Sequence, residues 1–539
     1  MDARFFLYIC AYMSSVNQLL EKSFRVNWDL PALSNYQGET LLYRDLAFRI
    51  HGLHLLFTEL GIQHGDKIAI CARNQANWGV SFLAALTYGA VPVPILHEFQ
   101  AENIHYLVGH SEARILFADS AILDKVDEAE MPGLLKVINL ESLSENASPE
   151  IGREDLHYYE DKPDELALIN YTSGTSGFSK GVMIPYRALM CNIIMSRETA
   201  EPQLHPDSQL VAMLPSAHMY GLMFDFLHQM TVGSHVHFLT RTPSPNVILK
   251  VFSEIRPDLI IVVPLILEKV YKTQIKPIAE KYKFFLSLPV IGRIIKNRIC
   301  RRLVDAFGGR FEEVIVGGAA FNPEVERFLH DIKFPFLVGY GMTECAPIVT
   351  FSKWYEHKVG ACGKAIPGCT IRIDSPDQRH VAGEIQIKGD NVFLGYFKNE
   401  AATREAFTED GWFRTGDMGV VDNDGFLFLR GRSKCMILGP SGQNIYPEEL
   451  EVVIDNTPYV AASLVIEDNK GLTALVYPDY GKGAAEKLSP DQVEEKLNAS
   501  LPKINAQLPS YAQIHKLEFR REDFERTPKK SIKRYLYQR

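Results

Sequence analysis

Up to about residue 350 the chain repeats one rhythm: a short apolar run of strand length, a stretch with helical spacing, then another run. The runs are KIAIC (67–71), AVPVPI (90–95), ARILFA (113–118), QLVAML (209–214), HVHFL (235–239), DLIIVV (258–263) and EVIVGG (313–318); a helical interval passes through Trp78 and Phe82. Strands that are apolar on both faces belong to parallel sheets covered by helices, so the rhythm predicts an α/β fold. From about Thr370 to Arg430 the pattern changes to short strands punctuated by Gly, Asp and Asn, such as GEIQIKG and GFLFLRG, which predict a small antiparallel β region. After GRSK at 431–434 a mixed pattern returns, with PEELEVVID as a helix, VAASLVIED and LTALVYP as strands, and a basic tail. A chain of 539 residues exceeds one folding unit. The predicted organisation is a large N-terminal domain of helix-covered sheets over 1–432, its β subregion at about 370–430, and a small α+β C-terminal domain over 433–539.

Composition narrows the function classes. Apolar residues make up 46% and charged residues 23%, and the net charge of −9 gives no support for a nucleic-acid partner. The eight cysteines (10, 71, 191, 300, 345, 362, 369, 435) form no C-x-x-C pair, so neither a zinc knuckle nor a disulfide framework is expected. A reducing, cytoplasmic location fits. FFLYICAYM near the start follows Asp2 and lacks a small-residue cleavage site, so export is not expected. LIIVVPLIL at 259–267 has about half the ~20 residues of a membrane-spanning helix.

Four clusters carry chemistry. In YTSGTSGFSK (171–180), Thr172, Ser173, Gly174, Thr175, Ser176 and Gly177 leave little side chain to pack. Such residues let backbone N–H groups approach an anion closely. The spacing is not that of a Walker A loop, because Gly177 is followed by Phe178, Ser179, Lys180 and Gly181. The cluster is a different phosphate loop or a plain flexible one. Its flanks, ELALIN before and GVMIPYRALMCNIIMS after, favour a turn at a strand end, where open α/β sheets bind ligands. In VGYGMTECAP (338–347), Tyr340 suits stacking on a base, Thr343 a phosphate and Glu344 Mg²⁺; the plain alternative is a capped glycine turn. In WFRTGDMG (412–419), Asp417 suits two ribose hydroxyls, or sits in an ordinary turn. VGGAAF (316–321) offers bare backbone to a purine.

Together, YTSGTSGFSKGV, YGMTE, RTGD and GRSKCMILGPSGQNIYPEELE resemble the adenylate-forming superfamily: acyl-CoA synthetases, firefly luciferase and nonribosomal peptide adenylation domains. The resemblance covers nearly the whole chain and, with NIYPEELE, is strongest toward bacterial long-chain fatty acyl-CoA ligases. It implies that the 172–180 loop holds the β- and γ-phosphates of ATP, with Lys180 as counter-charge. It implies that Gly318, Ala319 and Tyr340 line the adenine, and that Gly341 and Met342 belong to the same nucleotide turn. Thr343 would meet the α-phosphate, Glu344 the Mg²⁺ together with Thr172, and Asp417 with Arg432 the ribose. His218 in SAHMYGL would stand beside the acyl carboxylate; without the resemblance it reads as a structural histidine. The small domain of the family is mobile and rotates about a residue that is Lys434 here.

The implied reaction joins a carboxylic acid to AMP with release of pyrophosphate, then passes the acyl group to coenzyme A. Met219-Tyr220-Gly221-Leu222 carries no charge to pair with an amino-acid ammonium, although Asp225 follows shortly, so a medium- or long-chain fatty acid is expected. A carrier-protein thiol is the alternative acceptor. One motif departs from the family: Thr527, Pro528, Ile532 and Arg534 fix the register of its terminal motif, and Ser531 stands where the family has its adenylation lysine. A catalytically degenerate acyl- or nucleotide-binding protein is therefore a further reading. Lys530 is the expected substitute and Lys533 the next. Finally, 269–302 carries ten Lys or Arg against one acidic residue, interleaved with apolar runs. It is either a peripheral contact with the inner face of a membrane or a solvated helical hairpin.

Overall fold

The computed structural model describes residues 15–144, 149–172, 179–200, 203–241, 243–286, 288–438, 444–468, 471–527 and 532–538. FFLYICAYM lies outside them. Each of the seven apolar runs contains a strand. Val91–Ile95, Lys67–Cys71, Ala113–Ala118 and Lys136–Asn139 lie side by side in that order, all parallel. Gln209–Ala212, His235–Phe238 and Pro31–Asn35 form a second parallel set, with Thr40–Leu42 antiparallel at its edge. Ile260–Val262, Val314–Val316 and Phe336–Val338 form a third. Helix Ala76–Tyr88 is buried at every residue except Tyr88, which explains its nearly continuous apolar sequence. Trp78 and Phe82 stack with ring centroids 5.4 Å apart, and Phe226 meets both edge-on at 6.0 Å.

The strands around the Ser/Thr/Gly cluster depart from the parallel rhythm. Leu166–Thr172 and Lys180–Pro185 pair antiparallel as a hairpin, and Gly395–Tyr396 pairs antiparallel with the outer side of Lys180–Pro185. A parallel crossover needs about a dozen residues or more, and the link between these strands is too short for one. The Ser/Thr/Gly loop therefore closes a hairpin.

The chain divides into two compact units, one containing the described residues of 15–172, 179–370 and 387–413, the other those of 371–386 and 414–538. The four-stranded sheet Cys369–Asp374, Gly383–Gly389, Phe413–Val421 and Leu427–Arg432 falls largely in the second unit, whereas the expected boundary at 432/433 left it in the first. The physical link is helix Pro447–Asp455, which packs on Leu427–Arg432 and sets Glu449 3.5 Å from Arg430. The rest of this unit is built on Val460–Asp468 antiparallel to Gly471–Pro478, itself parallel to Ile514–Phe519. Its core joins Leu450 and Ile454 of Pro447–Asp455 to Val465, Ala474 and Val476 of the sheet and Val493 and Leu497 of helix Pro490–Asn505.

Candidate active site

Thr172 and Lys180 face each other across the last rung of the hairpin. Ser173, Gly174, Thr175, Ser176 and Gly177 lie outside the described residues. The Lys180 ammonium stands 4.5 Å from the centre of the Tyr396 ring, on the strand next to its own. Tyr396 Oη donates to Glu344 Oε1 at 3.0 Å. Burial and then the Glu344 charge push the Tyr396 phenol well above its ordinary pKa, so this hydroxyl stays a proton donor. Glu344 lies in the single turn Thr343–Cys345, half-buried, with Thr343 buried beside it. The turn is fixed from several sides. The Met342 N–H donates to Pro347 O at 2.8 Å and the Phe393 N–H to Glu344 O at 2.9 Å. Asn192, fully buried, donates to Cys345 O at 3.2 Å and accepts from the Ile348 N–H at 3.1 Å. Gly341 is required by close approach, because a Cβ there would lie 2.2 Å from Pro347 O.

The residues expected to face a purine lie at the carboxyl ends of parallel strands. The Gly317 N–H donates to Val262 O at 3.2 Å and the Gly339 N–H to Val316 O at 2.9 Å, which aligns the strand ends that lead into Gly318 and Tyr340. Gly318 and Ala319 are exposed; Tyr340 is buried. Tyr220 donates to Ile315 O at 3.2 Å, and a Cβ on Gly317 would meet its ring at 3.2 Å. Tyr220 thereby ties the His218 turn to this edge. His218 is half-buried; its N–H donates to Pro215 O at 2.9 Å and its carbonyl accepts from the Leu222 N–H at 2.8 Å. Asn170, on the strand entering the hairpin loop, donates to Ala217 O at 2.9 Å. The following segment, Gly221–Leu227, is π-helical, a form enriched at functional sites. Asp225 within it is buried and accepts from the Leu214 N–H at 3.1 Å, so its charge is used in holding that turn.

Asp417, Arg432 and Lys434 belong to the second unit. Asp417 sits in a strand and not at a turn, opposite Arg432, whose Nε lies 2.7 Å from Asp417 Oδ1. The carboxylate is buried and the Arg432 residue exposed. Lys434 is exposed in the single turn Ser433–Cys435 that follows. Pro528, Lys530 and Ser531 lie outside the described residues. Lys533 pairs with Glu525 at 3.3 Å, and Arg534 binds Glu451 and Glu448 of helix Pro447–Asp455, anchoring the tail.

Tyr396, Tyr220 and Asn170 connect the parts of the first unit, and sequence reading assigned them no role. Their partners lie 47 to 95 residues away along the chain, and each residue is locally unremarked in its strand or turn. No group of three His, Cys, Asp or Glu suited to caging a metal occurs among the described residues. Mg²⁺ needs no such cage: it takes one or two carboxylates and fills its shell with water and phosphate oxygens. Glu344, only half-buried and held through one oxygen, fits that requirement, and the Thr172 hydroxyl is a second hard donor.

Comparison with known proteins identifies the family. Residues 20–397 match the family described as AMP-binding enzyme, and residues 436–539 match the AMP-binding enzyme C-terminal domain. The chain is 28% identical to the long-chain-fatty-acid–CoA ligase FadD15 of Mycobacterium bovis, over 91% of this chain and 89% of that one. It is 25% identical to 4-coumarate-CoA ligase 1 of Narcissus pseudonarcissus, over 91% and 87%. The crystal structure of ATP-bound MatB from Rhodopseudomonas palustris superposes with a TM-score of 0.77 at 25% identity, covering 97% of this chain and 98% of that one. No described helix is long and apolar enough to cross a membrane.

Proposed function

This chain belongs to the AMP-binding enzyme family, and from that premise we propose that it activates a carboxylic acid with ATP and transfers the acyl group to coenzyme A. The observation that carries the reading is the line Lys180–Tyr396–Glu344 at the base of the hairpin loop: a cation and a carboxylate held a fixed distance apart by one tyrosine. A carboxylate is a poor electrophile, so its oxygen first attacks the α-phosphorus of ATP; the bond to pyrophosphate breaks and an acyl-adenylate forms. A thiol then attacks the acyl carbon and AMP leaves. In this reading the 172–180 loop and Lys180 neutralise the departing phosphates, Thr343 donates to the α-phosphate, and His218 borders the acyl carboxylate. Gly318, Ala319, Tyr340, Gly341 and Met342 enclose the adenine, and Asp417 with Arg432 takes the ribose. Glu344 and Thr172 would hold Mg²⁺, which when bound neutralises charge on the phosphate oxygens. The small domain, from 433, would turn about Lys434 between the half-reactions.

The acid we propose is a medium- or long-chain fatty acid, in a cytoplasmic enzyme. Two observations support it. The long-chain ligase relative matches over nine-tenths of the chain, and the segment after His218 buries Met219, Leu222 and Met223 while Asp225 is spent on a backbone N–H. A carrier-protein thiol would serve the same second step. Ser531, at the register of the family lysine, favours a second reading, an acyl- or nucleotide-binding protein without turnover. Lys530 is our candidate for restoring the charge; Lys533 is already paired with Glu525.

ATP–pyrophosphate exchange with a panel of acids, from short to long chains and including 4-coumarate, tests both. Exchange should depend on fatty acid, and added coenzyme A should convert it to AMP release. Faster exchange with 4-coumarate would overturn the acid assignment, and none with any acid would leave the binding reading.

A further inference from the structure

The hairpin at 276–306 presents to solvent what a soluble helix normally hides. Helix Pro289–Ala306 has eighteen residues, and only Gly292 and Leu303 are buried. Val290 and Ile294 are 72% and 63% exposed, and Phe284 in the preceding short helix Lys283–Leu286 is 72% exposed. Phe285, Ile291, Tyr282 and Ile278 are exposed as well. Phe284 and Phe285 meet edge to face with centroids 5.7 Å apart. The fold of the tip is tight: a Cβ on Gly292 would lie 2.4 Å from Leu286 O, so glycine lets the two helices close upon each other.

Charge is layered behind this tip. Val290, Ile294, Arg298 and Arg301 follow at intervals of four, four and three, which puts them on one helical face, and Ile291 and Arg302 flank it. The first turns of that face are aliphatic and the later turns carry arginine. Arg293, Arg298, Arg301 and Arg302 make no ion pair among the described residues, whereas Lys276 and Lys296 pair with Glu324 at 3.0 Å and Asp331 at 3.5 Å. A solvated hairpin explains the arginines but not a cluster of exposed aromatic and branched side chains. A second copy of this chain would bring two strongly basic faces together. A bilayer with anionic lipid meets both features, taking apolar side chains at the acyl boundary and guanidinium groups at the phosphates one or two helical turns away.

We propose that the 276–306 hairpin docks this protein on an anionic lipid bilayer, with Phe284, Phe285, Val290 and Ile294 inserted and Arg298, Arg301 and Arg302 at the headgroup phosphates. The inference rests on exposure and charge at this surface and not on which acid the enzyme activates. The full chain is floated with vesicles of phosphatidylcholine alone and of phosphatidylcholine with phosphatidylglycerol. It should rise with the anionic vesicles and far less with the neutral ones. Arg298→Glu, Arg301→Glu and Arg302→Glu together should lower the partition coefficient by more than about tenfold. Phe284→Ser, Val290→Ser and Ile294→Ser together should lower it too, with loss that added salt does not reproduce. Light scattering and pyrophosphate exchange with a water-soluble acid check that both variants stay folded. No flotation of the parent, or parent-like flotation of both variants, overturns the proposal. A parent dimer that only the variants dissociate, without vesicle binding, assigns the surface to a second copy instead.

Discussion

Tyr396 uses both ends of one side chain, its ring face toward the Lys180 ammonium and its hydroxyl toward Glu344. A donor on one carboxylate oxygen restrains the Glu344 rotamer and, in the proposed reading, leaves the other oxygen to a cation. Tyr396→Phe keeps the ring and the cation–π contact while deleting the donor. A hydrogen bond to a charged group contributes about 1.5–3 kcal/mol, so exchange should slow roughly tenfold to a hundredfold. The Mg²⁺ concentration for half-maximal rate should rise with it. Glu344→Gln, by contrast, should abolish exchange and leave the urea midpoint of unfolding unchanged, since its turn is held mainly by backbone bonds and Asn192. If Tyr396→Phe loses rate with unaltered Mg²⁺ dependence, the tyrosine supports the fold and does not position the carboxylate.

At the scale of elements, the turn Ser433–Cys435 joins the strand ending at Arg432 to the segment leading into helix Pro447–Asp455. Lys434 is exposed between the half-buried Ser433 and Cys435, and the proposed rotation between half-reactions would turn about it. Lys434→Pro fixes φ near −65° and restricts that turn. Adenylate formation should persist near the parent rate while thioester formation falls at least about tenfold; equal loss in both half-reactions would mark Lys434 as structural. The strands themselves were legible because burial on both faces writes an unbroken apolar run, as in KIAIC and ARILFA. The hairpin around the Ser/Thr/Gly loop was less so, since an antiparallel and a parallel partner demand the same residue types and only the short connection decides. Glu344 and Lys180 carry their chemistry in their own side chains and stand out in a sequence. Tyr396, Tyr220 and Asn170 act through distant partners, so nothing in their neighbourhoods signals them. The grouping of the four-stranded sheet with the C-terminal segment was hidden for a related reason: it depends on the packing of Pro447–Asp455 on Leu427–Arg432, a contact that no local pattern announces.

The whole molecule also carries a pH response independent of the chemistry. His54 is half-buried with Nε2 at 3.1 Å from Ala84 O, and desolvation lowers its pKa to about 4. On the strand His235–Phe238, burial lowers His235 to about 4, and burial with the neighbouring His235 charge lowers His237 to about 3. Their rings lie 3.9 Å apart, one bonded to Ser34 Oγ at 2.7 Å and the other to Gln209 Oε1 at 2.8 Å. In the unfolded chain all three would titrate near 6.5. Between about pH 6.5 and 4 the unfolded chain therefore binds protons that the folded unit refuses. Stability from these sites is complete above about 6.5 and is lost as pH falls toward the folded values, by about 1.4 kcal/mol per pH unit for each histidine. The urea midpoint of the N-terminal unit should fall steadily from about pH 7 to about pH 5, before most carboxylates begin to protonate. His54→Gln retains an N–H for Ala84 O and removes one titration, so its midpoint should fall less steeply over the same interval. A parent midpoint that is flat across that interval would show that these histidines accept protons while folded.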